Sequence, residues 1–318
     1  MEQIQSVCGS VSPDALGHCQ IHEHIFLRPT PMAERNLALR FDDLRRSLEE
    51  LERYRAAGGT SLADAQPVAA GRDGAALERL SRESGVAVIA STGYHLLDFY
   101  RSDCWVHRLD EAGFYALCRS ELEDGLLPWE PDPARRPEKA LLIRAGLVKA
   151  AIPAQGPAGR YEVLLRAASR AAADTGVPLM LHTERGERAL EALAICFDAG
   201  MRPEKIVVCH ADRQAGDWSV HDGIASAGVY LDYDTVGRFK YHSDEEEIAL
   251  LRHGLEAGYG DRILLALDTT AQRLTAYGGA LGLDYLLNSF LPRLRREGAP
   301  EEAVDGFCRA NCRRLFAG

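Results

Sequence analysis

The 318-residue chain has no stretch approaching the roughly 18 apolar residues that a membrane-spanning helix needs. Its opening residues, Met1-Glu2-Gln3-Ile4-Gln5, lack a basic segment followed by an apolar core, so no secretory leader is expected. Positive charge is in deficit: 37 Lys and Arg against 47 Asp and Glu give a formal net charge of -10. That balance argues against nucleic acid as the main partner, because binding a phosphate backbone needs a concentrated basic surface. It leaves room for a small anionic substrate, which responds to a few local cations. The 8 cysteines show no CxxC spacing, and some sit in apolar runs, as Cys209 does after Ile206-Val207-Val208. Free, buried thiols in a reducing compartment are the expectation, and with them a cytoplasmic location. No GxGxxG follows an early strand, and no tandem repeat, low-complexity tract or domain linker interrupts the chain.

What the sequence does contain is alternation. Short apolar runs at 19–26, 60–64, 86–91, 146–149, 178–182, 205–210, 229–234 and 262–268 read as strands. Between them, amphipathic stretches at 41–56, 75–84, 108–123, 161–174, 188–197, 220–226 and 244–256 read as helices, with two more at 283–296 and 301–308. Strands alternating with helices imply a parallel sheet covered on both faces. Eight such units suit an α/β fold closed into a (β/α)8 TIM barrel, a single domain over residues 1–318, with an open doubly wound sheet as the alternative. The proline-rich segment 128–137 has the length of a surface loop. One helix start is strongly specified. Ser243 with Glu246 forms a capping box, and the acidic run from Asp244 to Glu247 suits the positive end of a helix.

Within that order lie groups able to hold metal. His22 and His24 are two apart on the first strand, so both point to one side, while Glu23 faces away. The helical HExxH arrangement, with histidines four apart, is absent. Lys149, His182, His210 and Asp268 each end a later strand, and barrel enzymes place their chemistry at those ends. Any one of them alone reads as a structural or exposed residue. As a set they point to a metal centre at the C-terminal ends of the strands.

Several stretches resemble the phosphotriesterase family of metal-dependent hydrolases, within the amidohydrolase superfamily. They are Ile21-His22-Glu23-His24, Ala145-Gly146-Leu147-Val148-Lys149, Leu181-His182-Thr183, Val208-Cys209-His210-Ala211-Asp212 and Leu267-Asp268. Tyr277-Gly278-Gly279, Asp284-Tyr285 and the closing Asn311-Cys312-Arg313-Arg314-Leu315-Phe316 extend the likeness from about residue 15 to the C-terminus. The resemblance implies two divalent ions. His22, His24 and Asp268 would hold the buried one and His182 and His210 the exposed one, with Lys149, carboxylated by carbon dioxide, bridging both. Zinc is the default ion for such ligands, and manganese, cobalt or iron could take the same places. The resemblance further implies attack by a metal-bridging hydroxide on a carbonyl, with Asp268 as the catalytic proton acceptor.

The segment from Leu231 to Tyr241 looks like that of a subgroup containing lactonases for phosphorylated furanose sugars. On that likeness the substrate is a sugar-derived, phosphorylated lactone, with Lys240, Arg273 and Tyr277 as phosphate-binding candidates and Tyr94 as a pocket residue. Arg273 lies in an eighth loop that departs from the subgroup pattern. Alternative readings are an acyl-homoserine or other lactonase, a carboxylesterase with incidental phosphotriesterase activity, and a non-catalytic ligand-binding homologue. No membrane or nucleic-acid partner is expected. A homodimer is the expected form of any self-association.

Overall fold

In the computed structural model, which describes residues 3–317, the apolar runs become strands because both of their faces are covered. A short antiparallel hairpin comes first, β1 (Ile4–Ser6) with β2 (Gly9–Val11). Eight parallel strands follow: β3 (His18–Glu23), β4 (Gly59–Asp64), β5 (Ala87–Gly93), β6 (Leu147–Ala151), β7 (Leu179–His182), β8 (Ile206–Cys209), β9 (Tyr230–Tyr233) and β10 (Ile263–Leu265). They neighbour one another in chain order from β3 to β10, so the strand order never reverses as it must in a doubly wound sheet. The expected barrel is the fold observed. Met1, Glu2 and Gly318, which the expected 1–318 domain includes, lie outside the described residues.

The barrel closes between β10 and β3 through a seam in which a backbone hydrogen bond, a threonine and a carboxylate all take part. Asp268 N–H donates to the His22 carbonyl at 3.1 Å. Glu23, pointing away from the histidines as expected, accepts Leu267 N–H at 2.8 Å on one oxygen and Thr269 N–H at 3.2 Å on the other. Thr269 Oγ1 in turn accepts His24 N–H at 3.0 Å.

Helices α1 (Pro31–Arg35), α2 (Leu44–Ala56), α3 (Gly74–Ser84), α4 (Glu111–Glu123), α5 (Arg160–Thr175), α6 (Ala189–Asp198), α7 (Trp218–Ser226) and α8 (Asp244–Glu256) surround the strands. The Ser243–Glu246 capping box opens α8 as expected, both of its hydrogen bonds being present. The expected helix at 283–296 instead divides into a π-helical turn, Leu286–Phe290, and α9 (Leu291–Arg296). Pro292, near the start of α9, has no N–H to donate, which suits a change of hydrogen-bond pattern there. The chain ends in α10 (Glu301–Cys308) and α11 (Ala310–Ala317). Cys312, Leu315 and Phe316 of α11 pack into the inner core with Ile21, Ile89, Leu147, Met180, Val207 and Leu264, closing the end of the barrel away from the ligands. All eight cysteines are unpaired, and Cys8 alone is exposed. Among the described residues no helix is long and apolar enough to cross a membrane.

Candidate metal centre and substrate cavity

Strand parity delivers most of the ligands. Leu147 and Met180 belong to the inner core, so Lys149 and His182, two residues on, also face inward at the rim. Two ligands need a local irregularity. On β3, Ile21 packs in the inner core, and strict alternation would turn His22 out toward the helices. A register shift between Gln20 and Glu23, in the pairing with β4, brings His22 in as well. On β8, Val207 and Cys209 face inward, and His210 would face out were its backbone not left-handed at φ 63°. Asp268 is left-handed too, at φ 45°. Such conformations are costly for residues other than glycine and collect at functional sites.

The structure brings all six expected ligands together. His22 and His24 lie with ring centroids 5.7 Å apart, and His22 is 4.9 Å from His210. His210 Nε2 is 2.8 Å from His182 Nδ1. Asp268 Oδ1 is 3.5 Å from His24 Nε2 and 3.9 Å from His22 Nε2. Lys149 Nζ lies 3.1 Å from His22 Nε2 and 3.3 Å from Met180 Sδ. Gly93 permits this strand geometry: it has φ +100°, and a Cβ there would strike the Lys149 carbonyl.

These donors fit metal ions. Burial lowers His22 to about 4 and lowers His182, and burial with Arg213 beside it holds His210 well below the usual range. Neutral rings offer the lone pairs that a cation needs. His24 Nδ1 is buried without a hydrogen-bond partner. Lys149 is wholly buried, and the hydrogen-bond neighbours of its Nζ are a histidine nitrogen and a thioether sulfur rather than a carboxylate. A carbamate on the same nitrogen would instead offer anionic oxygens to two cations.

Two carboxylates on β9 and its end steady the histidines. Asp234 Oδ1 is 2.6 Å from His210 Nδ1, and its Oδ2 accepts His210 N–H at 3.1 Å and lies 2.9 Å from His22 Nδ1. Asp232 Oδ2 is 3.1 Å from the same His22 nitrogen. A carboxylate on the far ring nitrogen fixes tautomer and orientation. Burial and the neighbouring Asp234 push Asp232 well above the ordinary carboxylate range. The sequence held the signal: Asp232 and Asp234 are two apart beyond the inward-facing Tyr230, so parity sends both inside.

Above these groups opens a cavity of about 270 Å³, lined by the histidines, Asp268, Arg213, Arg238 and an apolar wall that includes Leu27, Phe41, Leu96 and Phe99. The residues expected to bind substrate stand elsewhere. Tyr94 is buried behind the strands, its ring 5.7 Å from that of Phe114, and His95 takes the cavity position beside it. Arg273 is buried with its guanidinium bonded to the Leu267 and Val236 carbonyls, drawn there by unpaired acceptors of the loops. Tyr277 donates to the Asp43 carbonyl at 2.7 Å and meets Ser47 Oγ at 2.8 Å, tying its loop to the start of α2. Lys240 is exposed, 4.5 Å from the centroid of the Tyr241 ring. Sequence reasoning missed Arg213. Its direction is set by the tight turn Ala211–Gln214, which follows the left-handed His210 and leaves no periodic trace.

Comparison with known proteins agrees with this geometry. A phospho-furanose lactonase from Mycoplasmopsis synoviae is 28% identical, the match covering 98% of this chain and 91% of that protein. An N-acetyltaurine hydrolase from Danio rerio is also 28% identical, over 95% of this chain and 94% of its own length. The crystal structure of a lactonase from Listeria monocytogenes superposes with a TM-score of 0.89 at 25% identity, covering 99% of each chain. The sequence profile of the phosphotriesterase family matches residues 2–316, and the chain belongs to that family of metal-dependent hydrolases.

Proposed function

We propose that this hydrolase opens the ring of a sugar-derived, phosphorylated lactone. The observation that carries the reading is the likeness to the phospho-furanose lactonase, which spans 98% of the chain, over a site where all six ligand residues converge. The N-acetyltaurine hydrolase likeness supports an anionic substrate in particular, since that compound carries a sulfonate. Two divalent ions, zinc by default, supply a nucleophile at neutral pH and a Lewis acid for the carbonyl oxygen when bound. His22, His24 and Asp268 would hold one and His182 and His210 the other, with a carboxylated Lys149 between them. Asp234 holds His22 and His210 in place through its two oxygens. Asp268, with Oδ1 toward the histidines and Oδ2 toward the cavity, is the group that takes a proton and passes it to the departing ring oxygen. The unpaired thiols suit a reducing, cytoplasmic setting.

The test is turnover of purified, metal-loaded protein on phosphorylated and plain aldonolactones, with acyl-homoserine lactones and aryl esters in parallel. Phosphorylated aldonolactones are expected to give the highest kcat/KM. A preference for long acyl tails would move the assignment to the acyl-homoserine lactonase reading, which the apolar wall of Leu27, Phe41, Leu96 and Phe99 favours.

A further inference from the structure

Asp268 offers its two oxygens to different company. Oδ1 faces His24 and His22, while Oδ2 accepts from Arg213 Nη2 at 3.0 Å and from Arg238 Nη1. Both arginines line the cavity, and their guanidiniums stand 5.0 and 5.5 Å from the centroid of the Tyr241 ring. The Arg213 side chain is 7% exposed and that of Arg238 15%. Arg213 Nη1 also reaches the Glu184 carbonyl at 3.4 Å and lies 3.8 Å from Glu184 Oε2, and its Nε is buried without a partner. Glu184 is itself 39% exposed at that distance, so solvent screens much of its charge. Two cations therefore share one oxygen of a carboxylate whose other oxygen is turned to the histidines. That is an excess of donors at a cavity wall, held rigid by a common aromatic face.

Resting on the lactonase reading, we propose that Arg213 and Arg238 determine specificity by gripping an anionic group carried on or next to the lactone ring, rather than at the end of a long tail. The short reach follows from connectivity. The guanidiniums bond the same carboxylate that lies 3.5 Å from His24 Nε2, so an anion in their grasp sits beside the reacting carbonyl. A guanidinium presents parallel N–H groups that match carboxylate or phosphate, and a second one fixes the plane of approach. An arriving anion also takes over as partner to the arginines and leaves Asp268 Oδ2 with an open lone pair facing the substrate. The covalent step is ordinary hydrolysis: water adds to the carbonyl carbon, the ring C–O bond breaks, and the anionic substituent keeps its charge.

The experiment compares γ-carboxy-γ-butyrolactone, the uncharged γ-valerolactone with the same ring, and a pentonolactone phosphate, on metal-loaded protein. The Arg213→Gln and Arg238→Gln variants are each expected to lower the charged-to-neutral ratio of kcat/KM by at least about tenfold, with partial recovery in the lysine variants. Binding is read separately by calorimetry with tetrahydrofuroate, an anion with no bond to hydrolyse, and its Kd should weaken by about the same factor. A ratio or Kd that stays put in a variant with intact metal content and Tm overturns the clamp. So does an equal loss on charged and neutral lactones, which would assign the arginines to holding Asp268 alone. A strong preference for the pentonolactone phosphate that both glutamine variants retain also overturns it. If a glutamine variant loses metal or melts early, the lysine variants decide: an unchanged ratio and Kd in both again rejects the clamp. If none of the lactones turns over while tetrahydrofuroate still binds through the arginines, the lactonase reading falls and the clamp stands.

Discussion

At the scale of single residues, strand parity and the left-handed backbones of His210 and Asp268 together aim the candidate ligands into one space. Lys149 and His182 face inward because they follow inner-core residues by two, a pattern readable from the strands alone. The outward Glu23 and the shared side of His22 and His24 were readable in the same way. That the histidine pair lies inside the barrel depends on the shift in register on β3, and the aim of His210 on its φ of 63°. Arg273 was misjudged because a cation's sequence position does not reveal which buried carbonyls compete for it. Lys149 gives the sharpest test of the centre. Lys149→Ala should lower metal content from two ions per chain and cut kcat/KM by at least about a hundredfold, the upper end of the loss seen on removing outer partners of metal ligands. Added formate or acetate should restore part of both. Metal analysis alongside kinetics checks this, and wild-type activity in Lys149→Ala would end the carbamate claim. His18 gives a test of pH dependence away from the site. Its Nδ1 lies 3.0 Å from Tyr54 Oη, and burial, with Arg309 adding to it, lowers it from 6.5 to about 3. The unfolded chain therefore binds a proton that the folded one refuses between these values. The stability that neutral His18 contributes is complete above 6.5 and drains as the pH falls toward 3, at up to about 1.4 kcal/mol per pH unit. Urea titrations at stepped pH should show a shallower acid slope in His18→Gln, and an identical slope would remove this residue from the account.

At the scale of elements, boundaries followed from caps. The start of α8 at Asp244 was legible because Ser243 and Glu246 satisfy each other's backbone groups. The start of α2 was read too early, at 41, since Asp43 is the cap and accepts Arg45 and Arg46 N–H. The β1–β2 hairpin and five-residue α1 carry too few residues for a period to show. The split near Pro292 was hidden by a continuous amphipathic pattern, which a π-turn alters only in phase. Ser243→Ala should lower stability by about 1 kcal/mol, the usual loss for an N-cap hydroxyl. Chemical denaturation measures it. Metal content should stay at the wild-type level, because the hydrogen bonds of the box join Ser243 and Glu246 to each other and to no candidate ligand, and a fall in both would show that α8 couples to the centre.

At the scale of the whole molecule, the seam between first and last strands is where fold and chemistry meet. The other neighbours pair through parallel ladders, in plain register at Val208 with Leu231 and Leu181 with Val208 and shifted in register between β3 and β4. Between β10 and β3 the Glu23 carboxylate takes over, accepting backbone N–H groups of Leu267 and Thr269 on separate oxygens. Residues on either side of that bridge are His22, His24 and Asp268, three of the expected ligands. A fault in closure should therefore appear as a fault in metal binding. Glu23→Gln retains shape but replaces one accepting oxygen by an NH2, setting a donor against a buried backbone donor. The expected loss is about 1–3 kcal/mol of stability, the range for leaving a buried polar group unsatisfied. Metal affinity should fall with it, because the strands that carry His22, His24 and Asp268 lose their shared anchor. Paired denaturation and metal titrations on Glu23→Gln and Ser243→Ala separate the two effects, since the second variant loses stability at a cap remote from the seam. Equal stability losses with metal affinity weakened only in Glu23→Gln would place the coupling at the seam. Unchanged affinity in Glu23→Gln would show that the ligands are positioned strand by strand, independently of how the barrel is closed.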